Sequence, residues 1–276
     1  MADSKEFTKA VSALSVASTD PWKAFKITPP LENMGKPLVI CENCKKAFKL
    51  YCPRCSSALD HNPPQIKLPI PVDIYRHPGE IEGKTTSVHA KVIAPEDVNI
   101  LVRNLSKCTE DLASLDEYED PERILLLFPS SRAVTLSEIP QTSFDRLIVV
   151  DGTWSQGRAM VKALSSKPFT HVKIQEHDTL FWRYQDGGND HLSTIEAIYW
   201  FFKDYHSAYE PSIAYDGRYD DLLFYFRHQY DLIQNVYRKS GKPFHRKKLD
   251  AASYIKRPVG EHSGTAEEAS ADSKKE

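Results

Sequence analysis

The sequence predicts an α/β fold with a largely parallel sheet, and three observations carry that prediction. Two short aliphatic runs, RILLLFP at 123–129 and RLIVVD at 146–151, have the unbroken apolar character of strands buried on both faces. Two stretches further on, LSTIEAIYWFFKDYH and YDDLLFYFRHQYDLIQNVYRK, place their apolar residues at helical spacing. Strand and helix signals alternate along the intervening chain, as they do where helices cover a parallel sheet.

The elements follow in order. A short strand is expected at Leu38 to Ile40, at the head of the cysteine-bounded stretch LVICENCKKAFKLYCPRCSSAL. In PPQIKLPIPVDIYRHPGE, residues Leu68, Ile70, Val72 and Ile74 alternate at period two, and the prolines among them point to an edge strand or a late start. KTTSVHAKVIAPEDVNILVRN supplies a short helix and then the strand VNILV. Between Cys108 and Glu122 there are seven acidic residues, counting Glu122, and no basic one, which reads as a solvated insert or linker. After the two aliphatic strands, a helix is expected from Ser155 to Leu164 and a strand at HVKIQ, residues 171–175. In the first long helix Ile195, Ile198, Tyr199 and Phe202 share a face, and Ser193 with Glu196 forms an S-x-x-E capping box. In the second, Leu222, Leu223, Phe226, Tyr230 and Ile233 do the same.

At 276 residues and 41% hydrophobic content the chain can bury a substantial core. Its formal net charge is only -2, so a nucleic-acid partner must be met by a local basic patch. No apolar run approaches the roughly 18 residues of a membrane-spanning helix, and the first thirty residues lack a secretory layout, so an intracellular, soluble protein is expected. The boundaries predicted are a disordered segment at 1–35, a cysteine-bounded knuckle at 36–60, the main α/β domain at 61–240 and a disordered tail, basic then acidic, at 241–276. From Arg238 to Arg257 there are eight Lys or Arg against one Asp, a candidate nucleic-acid arm.

Cys41, Cys44, Cys52 and Cys55 form C-x2-C-x7-C-x2-C. Each C-x-x-C turn aims two thiolates inward, the arrangement of a closed structural zinc site with no coordination position left for catalysis. Cys108 stands apart. Lys45, Lys46, Lys49 and Arg54 around this loop are candidate phosphate contacts, though each is equally at home as a solvated cation.

In parallel α/β sheets ligands bind where strands end, because the loops there carry polar groups above a rigid floor. RILLLFPSS ends in Ser130 and Ser131; RLIVVDGTW ends in Asp151, Gly152, Thr153 and Trp154. Asp151 suits a general base, Thr153 a hydrogen-bonding hydroxyl, and Trp154 a flat face for a base or a cation. The plainer alternative is an aspartate that caps the next helix beside a core tryptophan.

These residues carry a resemblance. D-G-T-W matches the D-x-T-W tetrapeptide of the DTW-domain family of RNA aminocarboxypropyltransferases, and TSVHAKVIAP, ILLLFPSS, IVVDGTW, FWRYQDG, LSTIEAIYWF and YDDLLFYF agree with it in order over roughly residues 38–240. The resemblance implies an enzyme that transfers the 3-amino-3-carboxypropyl group of S-adenosylmethionine to N3 of a uridine in the tRNA D-loop. It also implies a SPOUT-like α/β fold with a C-terminal trefoil knot around the cofactor, and a place in the nucleus.

Carried onto this chain, the resemblance makes Asp151 the base that frees uridine N3, with Thr153 and Trp154 beside it. Leu192, Ser193, Thr194, Ala197 and Ser130 join Trp154 around the cofactor, whose carboxylate is expected at the helix start at LSTIEA. Lys84, Lys91 and Arg183 are candidate RNA contacts, whereas His89 and Trp182 are expected to pack in the core. Two other readings stay open at this level: a SPOUT-type RNA methyltransferase, and a zinc-knuckle RNA-binding protein without catalysis.

Overall fold

The computed structural model describes residues 20–30, 34–183 and 191–240. Two compact units are distinguished, Ala24–Ile233 and the chain ends Met1–Lys23 with Gln234–Glu276. The basic stretch beyond Ser240, the C-terminal tail, residues 1–19 and 31–33, and residues 184–190, which include the last four of the FWRYQDG landmark, lie outside the described residues.

The larger unit opens with two antiparallel hairpins, β1 (Val39–Ile40) with β2 (Ala47–Phe48) and β3 (Tyr51–Cys52) with β4 (Ser57–Ala58). A five-stranded sheet follows, from β5 (Val72–Arg76), β6 (Val98–Val102), β7 (Ile124–Leu127), β8 (Arg146–Asp151) and β9 (Thr170–Val172). Every pairing in it is parallel, in the order β6-β5-β8-β7-β9. The helices are α1 (Ser87–Ile93), α2 (Thr109–Ala113), α3 (Trp154–Leu164), α4 (Thr194–Tyr209) and α5 (Phe224–Ser240). No helix among the described residues is long and apolar enough to cross a membrane.

The aliphatic runs occupy the middle of the sheet, where both faces are covered. Ile124–Leu127 is buried throughout, and Ile148, Leu126, Met160, Leu164 and Phe169 share one core cluster. Strand β5 is buried along its whole length and lies between β6 and β8. It is therefore central and not an edge strand; it begins only after Pro71, which has no N–H to give a neighbour.

Three further expectations are corrected. The acidic stretch is not a solvated linker: Leu112, Leu115 and Tyr118 recur every third residue through it, and Leu115 is fully buried in the core. The Tyr118 hydroxyl donates to buried Asp73 on β5 at 2.6 Å, where Arg146 Nη1 and Asn99 Nδ2 also donate. Part of the stretch expected to be disordered is also held: Lys26 N–H donates to Asp220 Oδ2 at 2.6 Å, and the Thr28 N–H and hydroxyl donate to Asp221. Strand β9 stops at Val172, so residues 173–177 are loop and not strand.

Candidate active site

The order of the strands decides where a ligand sits. From β5 the chain passes through α1 to β6 on one side of the sheet, whereas from β8 it passes through α3 to β9 on the other. The two connections part between β5 and β8, and such a switch point leaves a crevice beyond the strand ends. Arg76 and Asp151, the last residues of these strands, are paired in register there. A cavity of about 890 Å³ opens at this place, walled by the loops after β5, β7, β8 and β9 and by the start of α4.

Asp151 forms its floor. The residue is 4% exposed, with Oδ2 accepting from the Thr85 hydroxyl at 2.6 Å and Oδ1 from the Thr194 hydroxyl at 2.6 Å. Thr85 also bonds Ser87 at 2.8 Å, and the Thr86 hydroxyl accepts from the Ile195 N–H at 3.2 Å. Residues 85–87 thus tie the loop after β5 to the head of α4 through the aspartate. They were not singled out from the sequence, although a run of three hydroxyls ahead of a short helix was visible there.

Thr153 caps α3. Its hydroxyl accepts from the Gln156 N–H at 3.3 Å while its own N–H donates to Gln156 Oε1 at 2.7 Å. Gly152 leaves room for this box, since a Cβ there would stand 3.0 Å from Gln156 Oε1 and 3.3 Å from His77 Cβ. Trp154 is half-buried and stacks on His191, ring centroids 3.9 Å apart, with Phe128 at 5.9 Å. His191 is a second wall residue that the sequence did not announce.

At the head of α4, the Ser193 N–H and hydroxyl both donate to Glu196 Oε2, at 2.8 and 2.6 Å. Glu196 does more than cap: it also accepts from the Thr179 hydroxyl and the Leu180 N–H, both at 2.8 Å. That fixes the segment carrying Arg183 along the cavity. Arg183 donates to the Lys84 carbonyl, lies 5.4 Å from the Phe181 ring centroid, and has its pKa pushed down by burial. Leu192, Ser193, Thr194, Ala197 and Ser130 all line the cavity, as do Lys84 and Arg183. Lys91 does not: its ammonium donates to the Pro95 carbonyl at 2.7 Å at the far end of α1.

On the opposite wall the Ser130 hydroxyl bonds His171 Nδ1 at 3.0 Å, and Arg132 bonds the other ring nitrogen. Because a guanidinium only donates, Nε2 accepts and Nδ1 carries the proton. Burial, with Arg132 adding to it, pulls the His171 pKa down to about 4, so the ring is neutral. His177 stacks on Trp200 at 3.5 Å and the Gln175 N–H donates to Asp204, which seats the loop after β9 on α4. At the rim Lys84, Arg158 and Lys173 are exposed cations, while Asp151 and half-buried Glu80 lie deeper. Burial first, and the Asp151 charge second, push the Glu80 pKa up.

The four predicted cysteines do converge. The Sγ atoms of Cys41, Cys44, Cys52 and Cys55 all lie within 4.8 Å of one another, and Cys44 and Cys52 are 3.5 Å apart. Thiolates about 2.3 Å from a tetrahedral metal stand about 3.8 Å apart, so the cluster fits a closed metal site. Lys45 and Ser56, each directly after the second cysteine of a C-x-x-C turn, both adopt left-handed backbone, with φ of 59° and 51°. The hydroxyl of Tyr51, next to Cys52, bonds buried His89 on α1 at 2.8 Å and accepts from Gln229 at 2.9 Å. His89 is the core residue expected.

A parallel α/β sheet with a cavity at its switch point, together with a four-cysteine cluster able to hold a metal, defines the class of protein. Residues 39–234 match the DTW domain model, and the chain belongs to the DTW domain family. It is 30% identical over 249 residues to tRNA-uridine aminocarboxypropyltransferase 1 of Xenopus laevis, covering 73% of this chain and 82% of that protein. The protein of the same name from Mus musculus is 29% identical, covering 85% and 90%, and that from Homo sapiens 28%, covering 83% and 89%. No solved structure matches the chain significantly.

Proposed function

We propose that this protein is a tRNA-uridine aminocarboxypropyltransferase that uses S-adenosylmethionine to modify N3 of a uridine in the D-loop. The observation that carries the reading is the placement of the D-G-T-W tetrapeptide on the floor and wall of the cavity at the β5/β8 switch point. About 890 Å³ is ample for a nucleoside-sized donor. The exposed Lys84, Arg158 and Lys173 at its rim suit a phosphate backbone, and the deeper acidic groups suit proton transfer.

S-adenosylmethionine, when bound, supplies an electrophilic methylene next to its sulfonium. The cluster of Trp154, His191 and Phe128 offers aromatic surface that favours such a cation. Leu192, Ala197 and Ser130 shape the wall against the adenosine and methionyl parts. The Ser193 and Thr194 hydroxyls already serve Glu196 and Asp151, so they brace the α4 terminus; with the Ile195 N–H given to Thr86 and the Glu196 N–H to the capping box, the Thr194 N–H is the terminal donor offered to the donor's carboxylate. Thr153 likewise acts by fixing the start of α3. Uridine N3 attacks only once its proton has left, and of the three carboxylates lining the cavity two lie below the exposed Glu176 to take it, Asp151 and Glu80.

Lys84 and Arg183 grip the RNA beside the cavity in this reading. Lys91, at the far end of α1, joins only if the RNA extends there. The metal of the knuckle is zinc, the C-terminal segment completes a SPOUT-type knot, and the protein works in the nucleus. Nucleoside mass spectrometry of tRNA incubated with the protein and S-adenosylmethionine tests the central reading. An aminocarboxypropyl-uridine is expected; a methylated nucleoside, or unmodified tRNA, refutes it.

A further inference from the structure

Three carboxylates line the cavity, and beneath the exposed Glu176 the other two, Asp151 and Glu80, are bound very differently. Each oxygen of Asp151 already accepts a threonine hydroxyl at 2.6 Å, so a proton arriving there must displace one of two buried hydrogen bonds. Doing so would also free Thr85 or Thr194, the groups that join the loop after β5 to α4. Glu80 lies in that loop, half-buried on the same cavity wall, and among the described residues its carboxylate bonds no side chain. The Thr153 N–H is the backbone donor beside it.

The charged groups facing Glu80 come from three elements. Asp151 stands at the end of β8, Arg76 at the end of β5, and Arg183 on the segment leading to α4. Lys84, Arg158, Lys173, Glu176, His177 and His191 stand elsewhere on the wall. Burial and the fixed negative charge of Asp151 favour a proton on Glu80, while the two guanidiniums oppose it. Of two neighbouring carboxylates held so differently, the one whose oxygens are both committed to buried hydroxyls organises the site, and the one without such partners is the freer to exchange a proton.

We infer that Glu80 is the catalytic residue that takes the N3 proton, and that Asp151 is a positioning residue holding Thr85 and Thr194. The inference rests on the transferase reading. The N3–H pair stays on nitrogen as the proton passes to the Glu80 carboxylate. That pair then forms the N3–C bond to the methylene, and the C–S pair returns to sulfur, turning the sulfonium into a neutral thioether. Glu80 afterwards releases its proton to water.

Single-turnover transfer by the zinc-loaded full chain, at saturating S-adenosylmethionine and tRNA across pH, tests this with Glu80→Gln, Glu80→Asp and Asp151→Asn. For Glu80→Gln we expect a rate loss of about 100-fold or more, with donor affinity within about threefold of wild type. The acidic limb of the pH–rate profile should vanish in Glu80→Gln and persist in Glu80→Asp. A readout without donor or tRNA accompanies it: infrared difference spectra should show a carboxyl titrating above the ordinary glutamate range in wild type and missing from Glu80→Gln.

Four results overturn the inference: a Glu80→Gln rate within about threefold of wild type, an acidic limb that persists in Glu80→Gln and disappears in Asp151→Asn, a defect confined to donor affinity, or no such infrared band. Wild-type protein that leaves tRNA unmodified would overturn the transferase reading and this assignment together. An active wild type with an indifferent Glu80→Gln overturns the assignment alone.

Discussion

The hydroxyl of Thr194 donates to Oδ1 of Asp151 at 2.6 Å, joining the head of α4 to the end of β8 across 43 residues of sequence. With Thr85, which reaches the other oxygen across 66 residues, it fixes a buried carboxylate in place at the floor of the cavity.

Thr194→Val keeps the side-chain shape and removes one of these two donors. Hydrogen bonds to charged groups contribute about 1.5–3 kcal/mol, and a loss of that size is expected in urea denaturation. A cycle with Asp151→Asn should show strong coupling, because each substitution removes the same bond. Additive effects would mean that the Thr194 hydroxyl is spent elsewhere.

Leu115→Ala tests the acidic segment. If it packs as described, truncation of this fully buried leucine lowers stability by about 2–5 kcal/mol. A solvated linker would register almost nothing.

Loss of the knuckle's metal should reach the core, because Tyr51 bonds His89 on the buried helix α1. Cys52→Ser, measured by metal content and calorimetry, is expected to lose stability by about 3 kcal/mol, a Tm drop on the order of 6–12 °C. Single-turnover chemistry on the remaining folded protein at low temperature should be little changed, since a four-thiolate site offers the reaction no open position. An intact Tm after complete metal loss would contradict the structural role.

Acid should destabilise the protein through its buried imidazoles. Burial pulls His89 down from 6.5 to about 3, with Arg183 adding to it, and His171 from 6.5 to about 4. The unfolded chain therefore binds protons that the folded one refuses. The stability these neutral rings contribute is complete above pH 6.5 and is lost progressively as pH falls toward 4 for His171 and 3 for His89. His89→Gln, whose amide oxygen can still accept from Tyr51, should flatten the slope of unfolding free energy between pH 6.5 and 4. An unchanged slope would place the proton uptake at other groups.

Much of the architecture was legible because its signals are local. An unbroken aliphatic run marks a strand covered on both faces, and the runs at Ile124–Leu127 and Arg146–Asp151 became neighbouring strands. The S-x-x-E box at Ser193 marks a helix start, which the structure places there. Two C-x-x-C turns bring sulfurs together through the geometry of a few residues each. The acidic segment misled because charge density is conspicuous, whereas three apolar residues spaced by threes are easily passed over.

The sequence by itself determined where the aliphatic strands and the two long helices form, where the thiolates cluster and which strand ends in Asp151, since each follows from periodicity, capping or turn chemistry within a few residues. Only the tertiary structure decided the strand order β6-β5-β8-β7-β9, the central place of β5, and the different surroundings of Asp151 and Glu80. The reason is physical: a carboxylate's partners and burial are set by whichever distant loops the strand order brings beside it, and neither hydrophobic period nor motif spacing carries that information.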